Sequence, residues 1–160
     1  MPTARTIHYE YPANPDQIIA LLKDPAFLKR RCEAAGERDV DVRVEPTSDG
    51  VRVVIAREKT IDIPAFARRL FEPTHRAVES TAWSRKGDRW VADYTVEVQG
   101  FPGKVSGRST LTPSSSGCHY ESTFEITARV PLIGGKIEGL LADGLAEQLV
   151  VNAQRNESAL

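Results

Sequence analysis

The chain has 160 residues, 41% of them hydrophobic and 27% charged, with 21 Lys plus Arg against 22 Asp plus Glu for a formal net charge of -1. That length fits one domain, residues 1–160, around one core. The balanced charge excludes the basic footprint of a nucleic-acid binder, and no apolar run reaches the roughly 18 residues a membrane-spanning helix needs.

The first residues, Met1-Pro2-Thr3-Ala4-Arg5, lack the apolar segment of an export signal, so a cytoplasmic protein is expected. In that compartment Cys32 and Cys118 are expected to be reduced, buried thiols. Thr6 to Tyr11 alternates, with Ile7, Tyr9 and Tyr11 on one face and His8 and Glu10 on the other, which predicts a half-buried strand. Asn14-Pro15-Asp16-Gln17 then carries a cap, a first-position proline and a capping-box residue, so a short helix begins there. Asp24-Pro25 repeats the signal for a second helix through Phe27, Leu28 and Cys32, and Gly36 suits its left-handed stop.

Two alternating runs, Arg38 to Glu45 and Val51 to Glu58, flank the Ser48-Asp49-Gly50 turn and predict a hairpin. His75 to Ser84 is a weaker strand pattern. Arg89 to Gln99, Lys104 to Thr112 and Cys118 to Val130 are clear ones, separated by Gly-containing turns. The last of these places Cys118, Tyr120, Ser122, Phe124, Ile126 and Ala128 on a dry face. From Gly134 to about Asn156 a helical pattern runs without proline. Two-sided strands of this kind predict an antiparallel sheet with one wet face, and the C-terminal helix is the element long enough to cover the other.

This order of one strand, two short helices, six strands and one long helix resembles the START-like (SRPBCC) superfamily, the helix-grip fold. The Gly100-Phe101-Pro102 turn and the string Val130-Pro131-Leu132-Ile133-Gly134-Gly135-Lys136-Ile137-Glu138-Gly139 are similar to an uncharacterised actinobacterial family within it. The resemblance implies an α+β fold, with a seven-stranded curved antiparallel sheet wrapped around the long helix and a cavity between them. Relatives bind lipids, sterols, polyketides or similar molecules, and some are cyclases or hydrolases, so the resemblance leaves activity open.

At 3.6 residues per turn, Ile137, Leu140, Leu141, Gly144, Leu145 and Val151 form an apolar face on the long helix. Gly144 either leaves room for a ligand or receives a ring such as Tyr94 or Tyr120. Gln148 lies at the edge of that face. On the sheet, Tyr9, Tyr94, Tyr120, Ser109, Ser122 and Phe124 point inward, giving an apolar pocket with a few polar handles. Thr60 to Pro73 is too long for a hairpin loop. A short helix from Pro64 through Phe71, with Phe66 and Leu70 on its apolar face, would be either a lid or a packed connector.

No catalytic set emerges. His8, His75 and His119 sit on separate strands, no ligand spacing suggests a metal centre, and nucleophile-elbow and phosphate-loop motifs are absent. Glu79 is the best acid/base candidate if the weak strand turns Ala77, Thr81 and Trp83 inward. The reading is a binder of a small hydrophobic ligand (lipid, polyketide or isoprenoid-like), a monomer or homodimer with no cofactor and no nucleic-acid partner. The alternative is a cyclase- or hydrolase-type enzyme using the same cavity.

Overall fold

A computed structural model describes residues 2–61, 65–69 and 74–160. The elements run β1 (Thr3–Tyr11), α1 (Pro15–Leu22), α2 (Pro25–Ala34), β2 (Arg38–Pro46), β3 (Gly50–Thr60), a 3-10 turn (Ala65–Ala67), β4 (Thr74–Lys86), β5 (Arg89–Val98), β6 (Gly103–Ser114), β7 (Gly117–Ala128) and α3 (Gly134–Ser158). All seven strands form one antiparallel sheet in the order β1-β7-β6-β5-β4-β3-β2. This is the α+β architecture expected. No helix among the described residues is long and apolar enough to cross a membrane.

Because β1 and β2 lie at opposite edges, the chain between them must cross the whole sheet, and α1 and α2 make that crossing. Their starts are fixed locally. The Asn14 side chain accepts from the Gln17 amide while the Gln17 side chain accepts from the Asn14 amide, and Asp24 caps Ala26 and Phe27. Asp16, in the first turn of α1, accepts from the Trp90 indole N–H at 2.8 Å and pins the helix to β5. Ile18, Ile19, Phe27, Leu28 and Cys32 then bury against Val51, Val53, Ile55, Trp83 and Leu111 of the sheet.

The long helix is present, but the face it buries differs from the expected one. Ile137, Glu138, Ala142, Ala153 and Asn156 are buried, while Leu140 is 46% and Val151 37% exposed. Two polar residues in the buried stripe explain the rotation. Glu138 accepts from the Ala128 amide at 2.7 Å and from the Thr3 hydroxyl at 3.2 Å. Asn156 donates to the Tyr11 hydroxyl at 3.1 Å and accepts from Arg31 Nη1 at 3.1 Å. Hydrophobic periodicity scores both positions as outward, yet each is satisfied by specific partners that fix the helix at its two ends. The small Ala142 and Ala153 let α3 lie close to β1 and β7. The helix therefore leans toward one edge of the sheet, and the inner face of β3 to β5 is left to α1, α2 and open space.

The segment after β3 holds a 3-10 turn over Ala65–Ala67 in place of an α-helix. The proposed cap Asp62 and the helix residues Pro64, Leu70 and Phe71 lie outside the described residues.

Candidate functional site

The space left between the tilted helix and the sheet is a partly open cavity of about 100 Å³. Its apolar wall comes from Ile18, Leu22 and Leu28 of the short helices, Val53 and Ile55 of β3, Trp83 and Val96 of β4 and β5, and Leu145 and Leu149 of α3. Its polar groups are Arg31, Glu79, Thr81, Tyr94, Ser109, Tyr120 and Asn152, with Tyr11 and Asn156 at one end. The volume is about that of three water molecules, and below the roughly 300 Å³ at which drug-sized ligand pockets begin. A larger groove of about 580 Å³, lined by Arg52, Ser80, Asp93, Thr95, Ser106, Thr123 and Glu125, lies open on the wet face of the sheet. Size alone favours the groove. Enclosure favours the cavity, because burying most of a ligand's surface requires walls on several sides.

The expected site residues divide as follows. Tyr94, Ser109, Tyr120 and Leu145 line the cavity. Ser122 is fully buried behind it, accepting from the Ser109 hydroxyl at 3.0 Å and sharing a hydrogen bond with the Tyr94 hydroxyl at 2.8 Å. That pairing satisfies the inward hydroxyls without a ligand. Burial raises the pKa of both Tyr94 and Tyr120, with hydrogen bonding to the serines partly offsetting it, so both phenols stay neutral. The Tyr94 ring occupies the place a side chain at position 107 would take, since a Cβ on Gly107 would lie 2.3 Å from it.

Phe124 and Leu141 are not cavity residues. Phe124 packs with Tyr94, Ile126 and Ala142, and Leu141 joins the same cluster because the helix is rotated. Tyr9 reaches past the core to donate to Glu157 at 3.1 Å, and the Gln148 amide bonds Asn152 at 3.1 Å. Gly144 is exposed, and a Cβ there would meet nothing within 4 Å. The open space over it is solvent, so neither reading of that glycine holds. Phe66 is 42% exposed and lies under the Lys136 ammonium, 4.4 Å from its ring centre. Leu70 is outside the described residues.

The charged wall is the part that hydrophobic patterning missed. β4 does turn Ala77, Glu79, Thr81 and Trp83 inward, with Glu79 paired between Ile55 and Val96. Arg57, buried on β3, donates to Glu79 at 3.2 Å and to the Ile55 carbonyl at 3.3 Å, and its Nε lies 3.6 Å from Glu37. Lys59 lies 3.7 Å from the other Glu37 oxygen. Burial works to raise the pKa of Glu79, but Arg57, Arg31 and Lys59 outweigh it and hold the carboxyl below its ordinary value. The Glu79 side chain keeps 27% of its surface accessible, and it lines the cavity. An ionised carboxylate thus faces the cavity beside Arg31. Cys32, near the same cluster, has its thiol pushed up to about 12 by burial and by Glu37, so it is no nucleophile. Both cysteines are free and buried. The signal for this cluster was Arg57 itself: alternation through Val51, Val53 and Ile55 places it on the dry face, where a buried cation requires a carboxylate partner.

His75 is inward at the other end of β4, its Nδ1 3.0 Å from the Gln99 carbonyl oxygen. His8 and His119 point outward, as expected, but adjacent strands bring them together: His8 Nδ1 and His119 Nε2 are 3.1 Å apart.

Comparison with solved structures supports this architecture. The chain is similar to the protein TTHA0849 from Thermus thermophilus (TM-score 0.66, 16% identity, covering 99% of this chain and 95% of that one). It is similar to Ara h 8.0201 (TM-score 0.65, 10% identity, 99% and 97% covered). It is also similar to norcoclaurine synthase from Thalictrum flavum in complex with dopamine and hydroxybenzaldehyde (TM-score 0.54, 13% identity, 99% and 87% covered). These neighbours include Bet v1-like members of the START-like superfamily, and at such identities the likeness speaks to the fold. No functionally curated protein matches the sequence. Residues 6–157 match the model of DUF2505, a protein family of unknown function, and the chain belongs to that family.

Proposed function

We propose that this chain, as a single START-like domain over residues 1–160, binds a small, largely apolar molecule with one polar group in the cavity under α3. The observation that carries the proposal is the composition of the cavity wall: aliphatic side chains and Trp83 on most sides, with Arg31, Glu79, Thr81 and Asn152 also facing in. Bet v1-like neighbours with a hydrophobic-ligand fold support it, and one of them was solved in complex with two small aromatic molecules. At about 100 Å³ the cavity is smaller than the engineered cavity of about 150 Å³ that binds benzene, so even a single-ring ligand requires α3 to shift slightly outward. A longer lipid, polyketide or isoprenoid-like chain requires a larger outward movement of α3. A cytoplasmic monomer or homodimer without cofactor completes the proposal.

The test is native mass spectrometry of freshly purified protein, followed by titration with an environment-sensitive apolar dye. A one-to-one complex is expected, and Leu149→Trp, which fills the cavity, is expected to abolish it. No bound species and no dye binding, or equal binding by Leu149→Trp, overturns the proposal.

A second reading, an enzyme acting on a hydrophobic substrate, is favoured by one observation, the inward carboxylate of Glu79. Because its pKa is lowered, the group is a stabiliser of positive charge rather than a proton donor at neutral pH. Turnover that survives Glu79→Gln removes this reading.

A further inference from the structure

We propose that the outer face of β1 and β7 holds a divalent transition-metal ion, of the Zn2+ class, between the imidazoles of His8 and His119 and the carboxylate of Glu121. Antiparallel register builds the site: His8 lies directly opposite Glu121, and Glu10 opposite His119, all on the wet face. One ligand atom from each of His8, His119 and Glu121 lies within 4.8 Å of the others. Two neutral imidazoles and a carboxylate are the donor set that borderline divalent ions prefer, and it falls short of the four ligands that close a structural zinc site. The exposed face leaves the remaining positions to water.

Two further features distinguish this from a chance surface cluster. The first is the 3.1 Å separation of His8 Nδ1 and His119 Nε2. With metal–nitrogen bonds of about 2.0–2.1 Å, two nitrogens at that separation subtend an angle of about 100° at a shared ion, close to tetrahedral. The same distance accommodates a hydrogen bond in the free protein, so the two rings are held together before metal arrives. The second is the group behind His119. Its Nδ1 contacts Glu10 Oε1, and the other Glu10 oxygen accepts from Ser114 at 3.2 Å. With a proton on Nδ1, the His119 Nε2 is the bare nitrogen, aimed at His8. A carboxylate that fixes the tautomer and orientation of a histidine is the usual outer shell of a zinc ligand. The cavity on the opposite face shares none of these residues.

The test is calorimetric titration of tag-free protein with Zn2+, with Co2+ absorption as a spectroscopic reading of coordination. One ion per chain is expected. His8→Ala and His119→Ala are each expected to lose it, Glu10→Gln to weaken it roughly 10–100-fold through the outer shell, and Glu125→Gln, on the same face of β7, to leave it unchanged. The imidazole NMR signals of His8 and His119 in the unsubstituted protein are expected to shift on adding Zn2+, which needs no variant to fold. Absence of one-to-one binding, binding retained by both histidine variants, or unshifted imidazole signals overturns the proposal.

Discussion

Replacing Glu79 by Gln tests whether the charged wall of the cavity is a coupled ion cluster. Breaking a buried ion pair by removing one partner costs about 3–5 kcal/mol when the remaining charge is left alone. Arg57 is not left alone: its Nε keeps Glu37 at 3.6 Å, it still donates to Ile55, and a glutamine oxygen still accepts from Nη2. The loss is therefore the charge–charge part, about 2 kcal/mol. For a chain of this size that lowers Tm by about 4–8 °C. The pH dependence gives a second, sharper reading. The Glu79 pKa is lowered in the folded chain from its ordinary value of 4.5, so its contribution is complete above that unfolded value and is lost as pH falls through the folded one. The gap between the two proteins is full near neutral pH and closes progressively below 4.5. Urea unfolding followed by the fluorescence of Trp83 and Trp90 measures it, with a shifted midpoint and unchanged slope. An equally stable Glu79→Gln protein, or a stability gap that does not change with pH, refutes the ion-cluster reasoning.

Gly107→Ala places a Cβ 2.3 Å from the Tyr94 ring and displaces it from Ser122, costing about 2 kcal/mol in denaturant unfolding. In a Tyr94→Leu background the same change is expected to cost much less, a non-additivity that a double-mutant cycle reads directly. Gly144→Ala, exposed and inside a helix with nothing within 4 Å of the new methyl, is expected to raise stability by about 0.5–1 kcal/mol and to leave ligand binding unchanged, measured by thermal unfolding and dye titration. Asn156→Ala leaves the buried Tyr11 hydroxyl without its donor and Arg31 without its acceptor, and a loss of about 2 kcal/mol in urea is expected.

The strands were legible because alternation and burial report the same thing on a sheet with one wet face. Every inward position read for β1, β5, β6 and β7 follows the observed register, and the caps of α1 and α2 follow from chemistry local to a few residues. The long helix was legible in extent but not in rotation. A helix face is inferred from where hydrophobic residues cluster, and α3 gives two of its buried positions to Glu138 and Asn156 while leaving Leu140 and Val151 in water. That displaced Gly144, Leu141 and Gln148 from the assigned cavity and hid Leu149, which is in it. The contributions of Ile18, Leu28 and Arg31 were hidden for a different reason. Which face of a short helix meets a sheet strand far away in sequence depends on the crossing between the two edges, and no local pattern encodes it.

Arg57 shows how much of the hidden part was nonetheless recoverable. Its position in the dry register of β3 demands a carboxylate, and Glu79 on the paired strand meets that demand. The same pair bears on what the cavity is for. A buried ion cluster is an unfavourable way to fill a core, since well-packed hydrophobic residues of similar volume are commonly as stable or more so. A sheet needing only a dry interior gains nothing from Arg57, Glu79 and Glu37 where aliphatic side chains would pack. Glu79 holds its charge at the cavity wall, with Arg31 beside it and Asn152 across from it on α3. A cavity whose polar groups are fixed in place by charges behind them is suited to orienting a molecule with a polar end. A purely hydrocarbon ligand would leave those groups facing apolar surface without partners. The ligand that fits the wall carries at least one hydrogen-bonding or charged group, and a dye series differing only in that group, titrated against the unsubstituted protein and Glu79→Gln, separates the two cases: equal affinity across the series for both proteins contradicts a polar handle.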